Sequence, residues 1–138
     1  SNVENADITG IYLLVAEDNE MNAEILMELL QCEGARCDHA ENGRVAVEKF
    51  LAAPPDTYDL ILMDIQMPEM NGHDATREIR SSDHPRAKSI PIAAMTANAF
   101  TEDMEAAFAA GMDAHIPKPV DMPRLKTIIC ELLEQKKE

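Results

Sequence analysis

The stretch Tyr58-Asp59-Leu60-Ile61-Leu62-Met63-Asp64 decides the fold. A near-continuous apolar run that stops abruptly at a carboxylate fits a strand covered on both faces and ending at a rim, because a half-exposed strand would alternate apolar with polar residues. Pro54-Pro55 punctuates the chain before it, and Pro68 with the Asn71-Gly72 pair marks the loop beyond. Toward the N-terminus, Ile11-Tyr12-Leu13-Leu14-Val15-Ala16 repeats the pattern and also ends in acid, at Glu17-Asp18-Asn19. Toward the C-terminus, Ile90 to Met95 close on Thr96, and Asp113 to Ile116 form a shorter run before Pro117-Lys118-Pro119. Ala35 to Ala40 are more polar, as an edge strand tolerates.

Helical periodicity fills the intervals. After Glu17-Asp18-Asn19, which can cap a helix, Met21, Ile25 and Leu29 share a stripe with Asn22, Leu26 and Leu30, while Glu20, Glu24 and Glu28 fall on another face; Gly34 ends it. A turn at Glu41-Asn42-Gly43 opens a second helix carrying Val45, Ala46, Val47, Phe50 and Leu51. A third runs to about Arg80 and is closed by Ser81 to Pro85. The fourth starts near Thr101, is acidic at Glu102 and Asp103, and ends at Gly111. Asp121 can cap a last helix with Leu125, Ile128, Ile129, Leu132 and Leu133 inside, and Lys136-Lys137 place positive charge at its end. Five strand-helix units without repeat or linker predict a three-layer α/β/α sandwich. Its five-stranded parallel sheet is expected in the order 2-1-3-4-5, which is flavodoxin-like, with functional groups at the carboxyl ends of the strands.

With 138 residues, 46% of them hydrophobic and 28% charged, the chain has the composition of one globular domain. Its net charge of -14 would be repelled by nucleic-acid phosphates and anionic lipid surfaces, so neither partner is expected. Cys32, Cys37 and Cys130 lack metal-ligand or redox spacing and read as buried thiols of a reducing compartment. No apolar run approaches a membrane span and no signal-peptide pattern opens the chain, so the expected location is cytoplasmic.

Four of the five strands end in a group that can bind or react: Glu17-Asp18, Asp64, Thr96 and Lys118. The fold rule gathers these on one rim, where three carboxylates repel one another and should take up a divalent cation. Mg²⁺ suits such hard oxygen ligands, and no cluster of cysteine or histidine suggests zinc. A cation, a carboxylate, a hydroxyl and an ammonium together suit phosphoryl transfer to a carboxylate, with Asp64 as nucleophile and the metal and Lys118 neutralising charge.

The stretches LLVAEDNEMN, YDLILMDIQMPEMNG, IPIAAMTAN and IPKPVD, in this order and spacing, resemble the receiver domains of response regulators and hybrid sensor kinases. The resemblance runs from about Tyr12 to Glu134, and we take residues 10–135 as the domain. It implies that Asp64 is the phosphoacceptor, that Asp18 is a direct metal ligand with Glu17 acting beside it, and that the Gln66 carbonyl is a further metal contact. It also implies that Thr96 is a switch hydroxyl and that Lys118 binds phosphate ahead of a Lys118-Pro119 bond that is often cis. Gln66 and Asn98 are similar to positions that tune the lifetime of the phosphoryl group. His115 departs from the commonest pattern, since many receivers carry Tyr or Phe there. The implied partner is a histidine kinase or a histidine phosphotransfer protein, docking on the first helix and the loop after the fifth strand.

Met63, Met67 and Met70 read as core and loop packing. Receivers attached to hybrid sensor kinases are the nearest in wording, so the chain is expected to be a fragment of one, catalysing only its own phosphorylation and dephosphorylation. A stand-alone phosphorelay regulator would look the same. A Mg²⁺-dependent phosphatase with an Asp nucleophile is a further alternative, but it needs a second Asp where Gln66 stands.

Overall fold

The structure, a computed structural model, describes residues 6–97 and 101–137. Asn98 and the side chains of Lys136 and Lys137 lie outside the described residues. Five strands, β1 (Tyr12–Ala16), β2 (Arg36–Ala40), β3 (Leu60–Asp64), β4 (Ile92–Thr96) and β5 (Ala114–Pro117), pair in parallel in the order β2-β1-β3-β4-β5. They alternate with α1 (Glu20–Cys32), α2 (Gly43–Ala52), α3 (Gly72–Ser81), α4 (Thr101–Ala110) and α5 (Met122–Lys137).

Successive residues of a strand point to opposite faces, and the apolar runs use both. Leu14, Ile61, Met63 and Ile92 pack with Val47 and Phe50 of α2, Ile79 of α3 and Ala107 of α4. Leu13, Val15, Leu60 and Leu62 pack with Leu26 and Leu30 of α1 and Leu125 and Ile129 of α5. The three-layer sandwich is therefore the predicted one.

The helices α1, α2 and α3 begin where a polar side chain replaces the missing backbone partner. Asn19, Asn42 and Asn71 accept hydrogen bonds from the N–H groups of Asn22, Val45 and Asp74, at 2.9, 2.9 and 2.8 Å. Gly34, at φ 94°, ends α1. Its N–H bonds the Gln31 carbonyl at 2.9 Å and the next N–H, of Ala35, reaches back to Leu30 at 3.2 Å, a turn that needs the left-handed conformation.

Three expectations change. The apolar stripe of α1 splits, because at 3.6 residues per turn Met21, Ile25 and Leu29 lie across the helix from Ala23, Leu26 and Leu30. The second set is buried, whereas Met21, Ile25 and Leu29 are 69%, 53% and 46% exposed. Leu51 of α2 is likewise 43% exposed rather than inside. The thiols are free but not fully buried: Cys32 is on the open face of α1, and Cys37 and Cys130 are half-buried at the margin of the α1–α5 layer. Burial pushes the Cys37 thiol up to about 11. Met63 is core, and Met67 and Met70 pack at its edge, as read from the sequence.

The amino-terminal rim of the sheet is stitched together. Gly10 N–H bonds the Gly34 carbonyl at 2.8 Å, and Tyr12 N–H bonds the Asp59 carboxylate at 2.8 Å. Arg80 reaches from α3 to Asp113 at 2.9 Å, and the same Asp113 oxygen accepts from Ile92 N–H at 2.9 Å. Ile8, ahead of the expected boundary at residue 10, is fully buried beside Leu26 and Leu30. Ile8→Ala is expected to cost about 2 to 4 kcal/mol in urea denaturation, through lost burial and the cavity left behind. An unchanged midpoint would show that the segment before β1 contributes nothing.

Candidate functional site

Because all five strands are parallel, their carboxyl ends share the other rim. Glu17 follows β1, Asp64 ends β3, Thr96 ends β4, and Lys118 follows β5. Glu17, Asp64 and Thr96 are buried, and Asp18 is exposed at the mouth. These groups and Gln66 line one hollow of about 270 Å³, with Asp103 of α4 on its wall. The sequence-predicted residues Glu17, Asp18, Asp64, Gln66, Thr96 and Lys118 are thus all brought together. His115 is half-buried on β5, opposite Ala94 in the register, and does not line the hollow.

Glu17, Asp18 and Asp64 each present a carboxylate oxygen, and these oxygens lie within 4.8 Å of one another. Lys118 Nζ donates to Glu17 Oε2 and Asp64 Oδ2, at 3.1 Å each. Burial, with the Glu17 charge adding to it, pushes the Asp64 carboxyl up to about 6 even though Lys118 pulls the other way. Burial works against the Lys118 ammonium, but its bonds and attraction to Asp64 and Glu17 prevail and hold it above the usual lysine value. The peptide bond after it, Lys118-Pro119, is cis, as the resemblance implied.

This donor set fits a hard divalent cation. Three carboxylates converge and the one at the mouth is open to water, so the ligand atoms they offer are hard oxygens. Backbone packing fixes that geometry: Gly72 N–H bonds the Ile65 carbonyl at 2.8 Å, holding the start of α3 against the chain that leaves Asp64. Two contributors escaped the sequence. Asp103 reaches the wall of the hollow only through the placement of α4. His39, on the edge strand, has Nε2 2.8 Å from the Glu17 carbonyl oxygen, a contact set by the β1–β2 register, in which Val15 faces His39.

An acidic hollow at the carboxyl rim of a 2-1-3-4-5 parallel sheet, bridged by a lysine, defines a phosphorelay receiver. The chain belongs to the response regulator receiver domain family, whose family model matches residues 13–130. It is 41% identical over 120 residues to hybrid signal transduction histidine kinase L of Dictyostelium discoideum, an alignment covering 85% of this chain and 7% of that protein. The chain therefore spans a small fraction of the length of the curated relatives it matches. Among solved structures it resembles the receiver domain of a sensor histidine kinase from Pseudomonas aeruginosa PAO1, crystallised with a magnesium ion coordinated in the active site cleft. That match has 33% identity and a TM-score of 0.81, covering 91% of this chain and 99% of the other. It also resembles a chain in the co-crystal structure of the Saccharomyces cerevisiae histidine phosphotransfer signaling protein Ypd1 and the receiver domain of its downstream response regulator Ssk1. There the identity is 28%, the TM-score 0.80, and the coverage 94% of this chain and 92% of that one. No helix among the described residues is long and apolar enough to cross a membrane.

Proposed function

We propose that residues 10–135 are a phosphoacceptor domain in which Asp64 takes a phosphoryl group from a phosphohistidine. The observation that carries this reading is the Lys118 ammonium held at 3.1 Å from both Asp64 and Glu17 in a hollow large enough for the incoming group. An Asp64 oxygen attacks phosphorus, the phosphorus–nitrogen bond breaks, and the donor imidazole leaves with the electron pair and takes up a proton. The transition state spreads negative charge over the peripheral oxygens, where Lys118 neutralises it and the Thr96 hydroxyl donates a hydrogen bond. Glu17, Asp18, Asp64 and the Gln66 carbonyl would hold Mg²⁺, which when bound supplies further neutralisation of the phosphoryl oxygens. Attack of water on the phosphorus breaks its bond to the Asp64 oxygen, releasing inorganic phosphate and restoring the carboxylate.

The donor's seat lies beside the hollow. Ile25 and Leu29 of α1, with Pro119 and Val120, line a groove of about 500 Å³ that shares Glu17, Asn22 and Lys118 with the acidic hollow. A histidine kinase or histidine phosphotransfer protein resting on this exposed apolar row would present its phosphohistidine to Asp64. Kinship with hybrid kinases supports a parent chain of that kind working in the cytoplasm. A stand-alone phosphorelay regulator is the second reading, favoured by any output that needs no further domain. The phosphatase alternative is weaker, because Gln66 offers no acid where a leaving group would need one.

The test is incubation with acetyl phosphate and Mg²⁺ followed by intact-mass measurement. The wild type is expected to gain one phosphoryl group and Asp64→Asn none. Equal labelling of both would place the acceptor elsewhere.

A further inference from the structure

We propose that His39 is a positioning residue for the acidic pair at the end of β1, acting through the Glu17 carbonyl; the proposal rests on the phosphoacceptor reading above. A carbonyl oxygen only accepts, so the 2.8 Å contact requires that Nε2 of the imidazole carries the hydrogen and donates it. That oxygen belongs to the peptide plane joining Glu17 to Asp18. The plane is rigid, so a donor fixed on the oxygen also sets the direction in which Asp18 leaves β1.

The turn needs such a tether. Its last sheet bond is Glu17 N–H to the Ala40 carbonyl at 3.0 Å. Beyond it, Asn19 N–H bonds the Glu17 carboxylate at 3.1 Å and the Asn19 side chain caps α1, which leaves the peptide between Glu17 and Asp18 to be fixed through its carbonyl. Between these anchors stands Asp18, the exposed member of the three carboxylates and the one with least packing to place it. His39 itself is well held: Lys49 of α2 donates to the His39 carbonyl at 2.8 Å and to Asp38 at 2.9 Å, and Tyr58 donates to the other Asp38 oxygen. His39 also lines a hollow with Asp18, Glu20, Glu41 and Lys49. The acidic loop is thereby held at two points of Glu17, by Lys118 on its carboxylate and by His39 on its carbonyl.

Mg²⁺ affinity, measured by calorimetry on the whole chain, tests this with His39→Ala, His39→Gln and, as a control, Ile8→Val at the opposite rim. His39→Ala is expected to bind Mg²⁺ roughly three- to tenfold more weakly, the size of one net hydrogen bond. Glutamine places an amide N–H near the position of the imidazole Nε2 and should recover most of the loss; Ile8→Val should bind as the wild type does. In the metal-free protein, amide exchange at Asp18 and Asn19 should quicken in the alanine variant and not in the glutamine variant. Wild-type affinity and exchange in His39→Ala would overturn the proposal, as would a glutamine variant as impaired as alanine. A wild type that bound no Mg²⁺ would instead sink the phosphoacceptor reading, and amide exchange alone would then decide whether His39 fixes the turn.

Discussion

Stripped of metal at pH 8, Asp64→Asn is expected to be more stable than the wild type, by up to about 3 kcal/mol. The folded carboxyl titrates at about 6 against an ordinary value of 3.8, and each unit of difference corresponds to about 1.4 kcal/mol. The sign follows from which state holds the proton better. Folding favours protonated Asp64, so the wild type keeps its full stability below about pH 4 and loses it as the pH rises through 6. Asparagine has no such window, although it gives up the charge-assisted bond from Lys118, which trims the gain. Urea denaturation at pH 8 and pH 5 in EDTA checks this, the advantage of the variant shrinking to about half at pH 5. Mg²⁺ should reverse the order, because it binds the folded wild type through a carboxylate that the variant lacks. A variant less stable than the wild type at pH 8 without metal would mean that Asp64 bears no electrostatic strain.

Gly72→Ala carries the second large effect, in the opposite direction. A β-carbon there would collide with the Asp64 carbonyl oxygen and stand 3.0 Å from the Ile65 Cα. These are backbone atoms, which cannot swing aside as the end of a side chain can. A loss of about 3 kcal/mol or more is expected in urea denaturation, together with slower uptake from acetyl phosphate, since relief requires moving the main chain that carries Asp64, the proposed nucleophile. Gly10→Ala is the contrast: nothing lies within 4 Å of its added carbon, so only the left-handed backbone, at φ 82°, penalises it, by about 1 kcal/mol. Equal costs for the two variants would refute the collision.

The strand order and the gathering of acidic and polar strand ends on one rim were legible because both rest on short signals. An unbroken apolar run names a two-sided strand, and the residue after it, Asp64 or Glu17, must then stand at an edge. What escaped depends on which way an element turns. Periodicity shows that Met21, Ile25 and Leu29 share a row and that Leu26 and Leu30 share another, but both rows are apolar, and only docking against the sheet decides which is covered. His39 stands on a polar edge strand, and its meeting with Glu17 depends on register between distant segments, which local pattern does not reveal. Ile8 was missed because a lone apolar residue among polar neighbours has no periodicity to reveal its burial.

Running every strand the same way separates two kinds of work along a single direction through the molecule. At one pole, Ile8, the Gly10–Gly34 bond and the Arg80–Asp113 bridge fasten the domain shut. At the other, like charges are crowded together and relieved by Lys118. A saturation-mutagenesis survey should therefore divide by height along the strands, with abundance lost at the first pole and signalling lost, often with abundance spared or raised, at the second. Selection can then retune signalling at one end without reopening the fold at the other.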